Sequence, residues 1–230
     1  MKASAIIVAA GSGTRLGFDM PKAFVELYGR SMLSYSLRTI AAVPAIEEAV
    51  VTVPPGMESR ARAEVRAAGL EIPVKLTPGG AERQDSVRIA LALTSAEAEL
   101  VVVHDAARPF ATPAMFEAAL ATATRVGGAI AAIPLADTLK RVGGHRTIVA
   151  TVARTALWQA QTPQAFRRAL LIAAHERAVL NRIVATDDAD LVEQLGATVA
   201  VVDGSALSFK VTTAEDLRLA ELAATALLDR

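Results

Sequence analysis

Six short apolar runs, rich in β-branched residues, recur along this chain at 5–9 (AIIVA), 49–53 (AVVTV), 72–76 (IPVKL), 100–103 (LVVV), 129–133 (AIAAI) and 198–202 (TVAVV). Each is too short for a helix and reads as a buried strand. Between them lie longer segments with 3.6-residue periodicity, at 31–42, 57–68, 83–94, 113–125, 163–178, 186–195 and 213–228. Strand alternating with helix requires right-handed crossovers and a mostly parallel sheet covered on both faces. The expected fold class is therefore α/β: a single Rossmann-like domain over residues 1–230, with a twisted sheet flanked by helices. Thr112-Pro113 and Thr162-Pro163 read as helix starts with proline at the first helical position, and Gly69 and Gly196 as residues just past helix ends. One segment, 137–155 (DTLKRVGGHRTIVATVART), breaks the alternation. A Gly-Gly turn between two polar, β-prone arms reads as a hairpin, and a two-stranded hairpin is marginal unless it leans on another surface.

In an open parallel sheet, ligands bind beyond the carboxyl ends of the strands. The polar residues of this chain gather there. After the first run comes VAAGSGTRLGFDMPKAF, which offers Gly11 and Gly13 for a turn of converging backbone N–H groups, Arg15 as a planar fork and Lys22 as a mobile point charge. Such a loop suits a polyphosphate. It is not a dinucleotide fingerprint, which would need glycine where Leu16 stands, nor a Walker loop, which would need Gly-Lys-Ser/Thr at that point. After the third run come Gly79-Gly80, Arg83 and Ser86; after the fourth comes His104-Asp105-Ala106-Ala107-Arg108-Pro109.

Asp105 follows a strand directly, a place from which a carboxylate can hold Mg²⁺ against phosphate oxygens, and also a common place for a turn cap. Arg108 can pair with it. His104, His145 and His175 lack metal spacing and default to structural roles. Lys210, between a short apolar strand and a helix capped at Thr212 or Thr213, is expected near the sheet edge. The basic face of the hairpin, Lys140, Arg141, Arg146 and Arg154, is either simply solvated or able to carry cations to a phosphate. The run Ala185-Thr186-Asp187-Asp188 suggests either a second cation site or, more commonly, a helix N-terminus, where acids complement the helix dipole.

Composition narrows the ligands. Lys+Arg and Asp+Glu both number 24, so no basic field exists to draw nucleic acid or an anionic membrane, and a phosphate must be held by a local cluster. Cysteine is absent, which removes disulfides, thiolate zinc and a Cys nucleophile and fits a cytoplasmic protein. The N-terminal MKASAIIVAAGSG imitates a signal peptide only faintly, because cleavage there would delete the glycine loop.

The ordered set of AAGxGxR with Pro21-Lys22, GGxERxxSV at 79–87, VHDAARP at 103–109, DTLKR at 137–141, QTPQ at 161–164, TDD at 186–188 and FKVTTAEDL at 209–217 resembles the 2-C-methyl-D-erythritol 4-phosphate cytidylyltransferase family. The resemblance runs through the whole chain. It implies transfer of CMP from CTP to the phosphate of methylerythritol phosphate, with a divalent cation, Mg²⁺ or another, and release of pyrophosphate. It places Arg15 and Lys22 on the triphosphate, Lys210 beside the α-phosphate and Asp105 near the metal. Gly11, Gly13, Gly80, Ser86 and Ala106 would meet the nucleotide. On the acceptor side it puts Asp105, Arg108, Thr138, Arg154, Thr162 and Thr186, with Thr138 and Arg154 reaching in from a neighbouring subunit, so that 137–155 becomes a dimerisation and active-site arm. Ala81 stands where many members have aspartate, and Asp188 where many have glutamate. The other acceptor to consider is ribitol 5-phosphate; outside enzymes, a nucleotide-binding regulator without turnover is the alternative. A free-standing enzyme is expected rather than one half of a bifunctional polypeptide.

Overall fold

The structure is a computed structural model that describes residues 2–11, 13 and 20–228. Its strands are β1 (Ala3–Val8), β2 (Glu26–Leu27), β3 (Arg30–Ser31), β4 (Ile46–Val53), β5 (Val74–Pro78), β6 (Leu100–Asp105), β7 (Gly128–Pro134), β8 (Leu139–Val142), β9 (Ile148–Val152), β10 (Trp158–Arg167) and β11 (Val199–Asp203). The helices are α1 (Met32–Ala41), α2 (Glu58–Ala68), α3 (Arg83–Leu91), α4 (Pro113–Val126), α5 (Arg168–Asn181), α6 (Asp188–Glu193) and α7 (Ala214–Leu228). A seven-stranded sheet runs in the order β11-β7-β10-β6-β1-β4-β5, and two small sheets, β2-β3 and β8-β9, stand apart from it.

Strands β1, β4 and β6 are apolar over most of their length, as burial on both faces demands. Ile6 faces one core with Val50, Val87 and Leu171, while Ile7 faces the other with Leu33, Val51 and Phe116. Thus α1, α2 and α4 cover one face, and α3, α5 and α6 the other. A third cluster packs α7 against the β2-β3 region through Val25, Leu27, Val211, Leu217 and Ala220.

Local chemistry sets the helix ends. Ser31 caps α1 by accepting from Ser34 N–H at 3.0 Å. Gly69 ends α2 with φ 64°, a conformation that strains any residue with a Cβ. The cap of α7 resolves to Thr213, whose hydroxyl accepts from Asp216 N–H at 3.2 Å, while the Asp216 carboxylate accepts from the N–H groups of Thr212 and Thr213 at 2.8 Å each.

One expectation fails. Thr162-Pro163 does not open a helix: both residues lie inside β10, joined by a cis peptide bond, and α5 begins only at Arg168. The segment runs antiparallel between β6 and β7 and is the single antiparallel member of the large sheet among the described residues. Proline has no N–H for a ladder, and the chain accommodates it where the β7 register shifts, between Ala160 and Gln164. The hairpin expected at 137–155 is present as β8 and β9, antiparallel, with Leu139 opposite Val152.

Candidate active site

Strand order reverses beside β1: the chain runs outward through β4 and β5, then returns to place β6 on the other side of β1. Such a reversal leaves a crevice at the carboxyl ends. Here Val8 pairs with Asp105, and Ala106 N–H donates to the Val8 carbonyl at 3.1 Å, so the glycine loop after β1 and the HDAARP loop after β6 leave the sheet side by side. The crevice holds a cavity of about 430 Å³ whose walls include Gly11, Gly13, Lys22, Gly80, Arg83, Ser86, Asp105, Ala106 and Lys210.

Glycines let the loops approach closely. A Cβ on Gly79 would overlap that of Ala10, and one on Gly80 would overlap that of Asp85. Gly13 adopts φ +73°, and a Cβ there would come within 2.8 Å of Lys22 Cβ. Ser86 is not an exposed hydroxyl: it accepts from Gly80 N–H at 3.0 Å and donates to the Glu82 carbonyl at 3.1 Å, so it shapes the glycine turn from within the wall.

Asp105 is the electrostatic centre. Its Oδ1 accepts from Arg83 Nε at 2.9 Å and its Oδ2 from Lys210 Nζ at 2.7 Å. Burial alone would raise its pKa, but Arg83 and Lys210 outweigh burial and hold the carboxyl well below the usual range. Arg83 also donates through Nη1 to Asp188 Oδ2 at 2.7 Å. The two cations and two anions of this cluster cancel, and the same cavity wall also carries Lys22 and Glu82. Sequence reasoning places Arg83 beside the site without a role. The signal that could reveal it is an arginine one turn from a Gly-Gly loop, in a chain whose strand ends supply buried carboxylates.

Two expected contacts are corrected. Arg108 does not pair with Asp105; it is buried and donates to the carbonyls of Ser208 at 2.8 Å and Ala160 at 3.4 Å, tying the Lys210 loop to β10. Thr162 is likewise buried rather than turned to an acceptor: its Oγ1 accepts from Asp105 N–H at 3.1 Å and lies 2.9 Å from His104 Nδ1. Asp187 and Asp188 do stand at the N-terminus of α6, as expected: Asp187 caps it by accepting from Asp190 N–H at 2.9 Å, and Asp188, its first residue, also turns inward to Arg83. His104 is structural, as expected; burial pushes its pKa down to about 4, so the ring is neutral. Thr186 is exposed on the loop before α6, and Thr138 and Arg154 are exposed on the hairpin, away from the cavity wall. Arg15 lies outside the described residues.

A doubly wound sheet with a glycine-walled cavity at its reversal point, bearing Lys22, Arg83 and Lys210 beside Glu82 and Asp105, is the arrangement of the nucleotide-handling α/β class. The model of the 2-C-methyl-D-erythritol 4-phosphate cytidylyltransferase family matches residues 3–226. A relative of that name from Deinococcus radiodurans is 47% identical over 96% of this chain and 88% of its own. A bifunctional enzyme from Anaeromyxobacter is 46% identical over 94% of this chain, which spans about half, 55%, of that longer protein. The crystal structure of the cytidylyltransferase from Thermus thermophilus superposes with a TM-score of 0.80 at 37% identity, over 97% of this chain and 99% of that one. The chain belongs to the 2-C-methyl-D-erythritol 4-phosphate cytidylyltransferase family, CTP-dependent nucleotidyltransferases of isoprenoid biosynthesis.

Proposed function

We infer that the cavity at the β1–β6 reversal transfers CMP from CTP to 2-C-methyl-D-erythritol 4-phosphate, giving 4-diphosphocytidyl-2-C-methyl-D-erythritol and pyrophosphate. The observation that carries this reading is the convergence of Lys22, Lys210 and Asp105 on one glycine-walled cavity. The acceptor phosphate is the nucleophile and is already charged, so the reaction needs no general base and no covalent intermediate. An acceptor oxygen forms a bond to the α-phosphorus as the bond to the bridging oxygen of pyrophosphate breaks, and pyrophosphate leaves with that electron pair. Lys22 and Lys210 serve the charge that gathers on the α-phosphate, and Arg15 the β- and γ-phosphates. The Gly80 turn and Ala106 wall the nucleotide, with Ser86 holding that turn in shape.

Asp105 shares the cavity wall with Glu82, and although its Oδ1 and Oδ2 already accept from Arg83 and Lys210, each oxygen keeps a lone pair with which it would share a divalent cation such as Mg²⁺, an ion that takes the rest of its shell from phosphates and water. Among the described residues no group of three His, Cys, Asp or Glu could hold a metal ion. When bound, the cation neutralises triphosphate charge.

On the acceptor side we assign Thr138 and Arg154 to the acceptor phosphate of the partner subunit's site, with Thr186 at the rim. Support comes from the hairpin's exposed apolar residues, Val142, Ile148 and Val149 at 53–62%, and from Trp158 at the start of β10 at 44%, a surface suited to a second copy of the chain. Among the described residues no helix is long and apolar enough to cross a membrane. We place the enzyme in the cytoplasm, where CTP and a phosphorylated polyol are available. The test is pyrophosphate release with each of four NTPs against methylerythritol phosphate and ribitol 5-phosphate. Turnover with CTP and methylerythritol phosphate, lost in EDTA, is expected. Equal rates with all NTPs, or a preference for ribitol 5-phosphate, would overturn the assignment.

A further inference from the structure

We propose that Arg83 is a positioning residue of this reaction: it sets the Asp105–Lys210 pair against the cavity, and it is itself held from behind by a buried anchor, Asp188 with His175. The proposal rests on the assignment of Lys210 to the α-phosphate. Geometry carries it. The side chain of Arg83 is a quarter exposed, yet its Nε and Nη1 are taken by two carboxylates, and its Nη2 is closed off from solvent with no hydrogen-bond partner among the described residues. An arginine gripping incoming phosphate would turn that fork to the cavity. Here the fork spans between Asp105 and Asp188 instead, which only a planar guanidinium can do at both distances.

Behind it, Asp188 is 1% exposed and His175 2%, their Oδ1 and Nε2 are 3.3 Å apart, and neither lines the cavity. The next residue, Gln84, donates to the Ile183 carbonyl and accepts from Ala185 N–H, both at 3.0 Å. Consecutive residues at the start of α3 therefore grip both ends of the 183–188 loop while Arg83 reaches forward to β6. Lys210 is 39% exposed and sits on a long flexible stem; the contact at 2.7 Å to a carboxylate that Arg83 immobilises is what fixes its ammonium. Removing Arg83 or Asp188 lets Asp105 rotate and Lys210 lose its aim, although neither residue need touch substrate.

The experiment uses the full-length enzyme with CTP, methylerythritol phosphate and Mg²⁺, and compares Arg83→Lys, Asp188→Asn, their combination and Lys210→Ala. Arg83→Lys keeps the charge but reaches one carboxylate; Asp188→Asn keeps the shape but weakens the anchor. Each is expected to lower kcat on the order of 10–100-fold, as loss of supporting contacts around a functional group does, with KM for both substrates little changed. The double variant should lose little more than the worse single one, because both act through Asp105. Parental kcat in Asp188→Asn beside a raised KM for CTP in Arg83→Lys would overturn the proposal, making Arg83 a direct phosphate ligand. Lower melting temperature with parental kcat in both would also overturn it, making the cluster purely structural. Should Asp188→Asn fail to fold, Arg83→Lys decides alone by its split between kcat and KM. Parental kcat in Lys210→Ala would instead sink the assignment of Lys210 on which the proposal stands.

Discussion

The proposed reaction gives Lys22 and Arg15 different phosphates to serve. The α-phosphate gathers charge on its equatorial oxygens only as the bond to pyrophosphate loosens, so an ammonium aimed there favours the transition state over bound CTP. Lys22→Ala is expected to lower kcat by roughly 10²–10³-fold, the usual loss for one preorganised charge-stabilising donor, whereas Arg15→Ala should act chiefly on KM for CTP. Steady-state kinetics checks both, and a Lys22→Ala enzyme with parental kcat would reverse the division. His104 gives a pH signature separate from catalysis. Its pKa falls from 6.5 to about 4 on folding, because burial disfavours the charged ring. Between those values the unfolded chain binds a proton that the folded chain refuses, so the stabilisation is complete above pH 6.5 and is lost as pH falls toward 4, on the order of 3 kcal/mol. Asp105 and Asp188, both lowered below 3.8, contribute in the same direction but only at more acid pH. Urea unfolding at pH 7 and pH 5 should show a smaller drop in His104→Gln than in the parent; equal drops would show that His104 is not the source.

Among the elements, β10 teaches most. Sequence patterning reaches the parallel strands within a few residues, since a run such as LVVV can be satisfied only between two apolar faces, and it finds six of the seven helices with similar bounds. It misses β10 because Gln161, Thr162 and Gln164 are polar and yet buried at 1–3% exposure, their side chains partnered locally. Gln161 donates to the Ser205 carbonyl at 2.9 Å, and Gln164 to Asp187 at 2.8 Å. Hydrophobic periodicity is blind to a strand whose interior is built from hydrogen bonds, and Thr-Pro carries a helix-start signal of its own. The site was legible to the same depth. Glycines and cations at strand ends point to the cavity at the β1–β6 reversal, whereas Arg83–Asp188 joins positions 105 residues apart and leaves no local trace. Thr162→Val tests what β10 contributes. The change keeps the shape but leaves Asp105 N–H and His104 Nδ1 buried without that partner, at a cost of roughly 1–3 kcal/mol. Denaturant melts should register it; an unchanged midpoint would show that water or a shifted backbone replaces the hydroxyl.

At the scale of the whole molecule, the proposed dimer turns on the hairpin. Residues 139–152 form a two-stranded ribbon outside the main sheet, with apolar side chains open to solvent, an arrangement that gains stability from a second surface. Sedimentation at micromolar concentration is expected to give a homodimer, and a monomer would remove the arm from the site. If each site takes Lys22 from one chain and Arg154 from the other, inactive Lys22→Ala and Arg154→Ala enzymes mixed in equal amounts should recover about a quarter of parental activity, since half the dimers are mixed and each holds one intact site. Sites built within one chain would stay inactive. The place of β10 in the sheet has a further consequence, for the order in which the protein is made. Both of its neighbours, β6 and β7, leave the ribosome before it does. Until Arg167 has emerged, the β1-β4-β5-β6 half carries a bare edge of four consecutive buried residues, Leu100 to Val103, the kind of edge that recruits other chains. A nascent chain paused between Pro134 and Trp158 is thus at its most vulnerable just as the arm is being synthesised, and chaperone capture along a series of stalled chains should peak in that window and fall once β10 closes the gap.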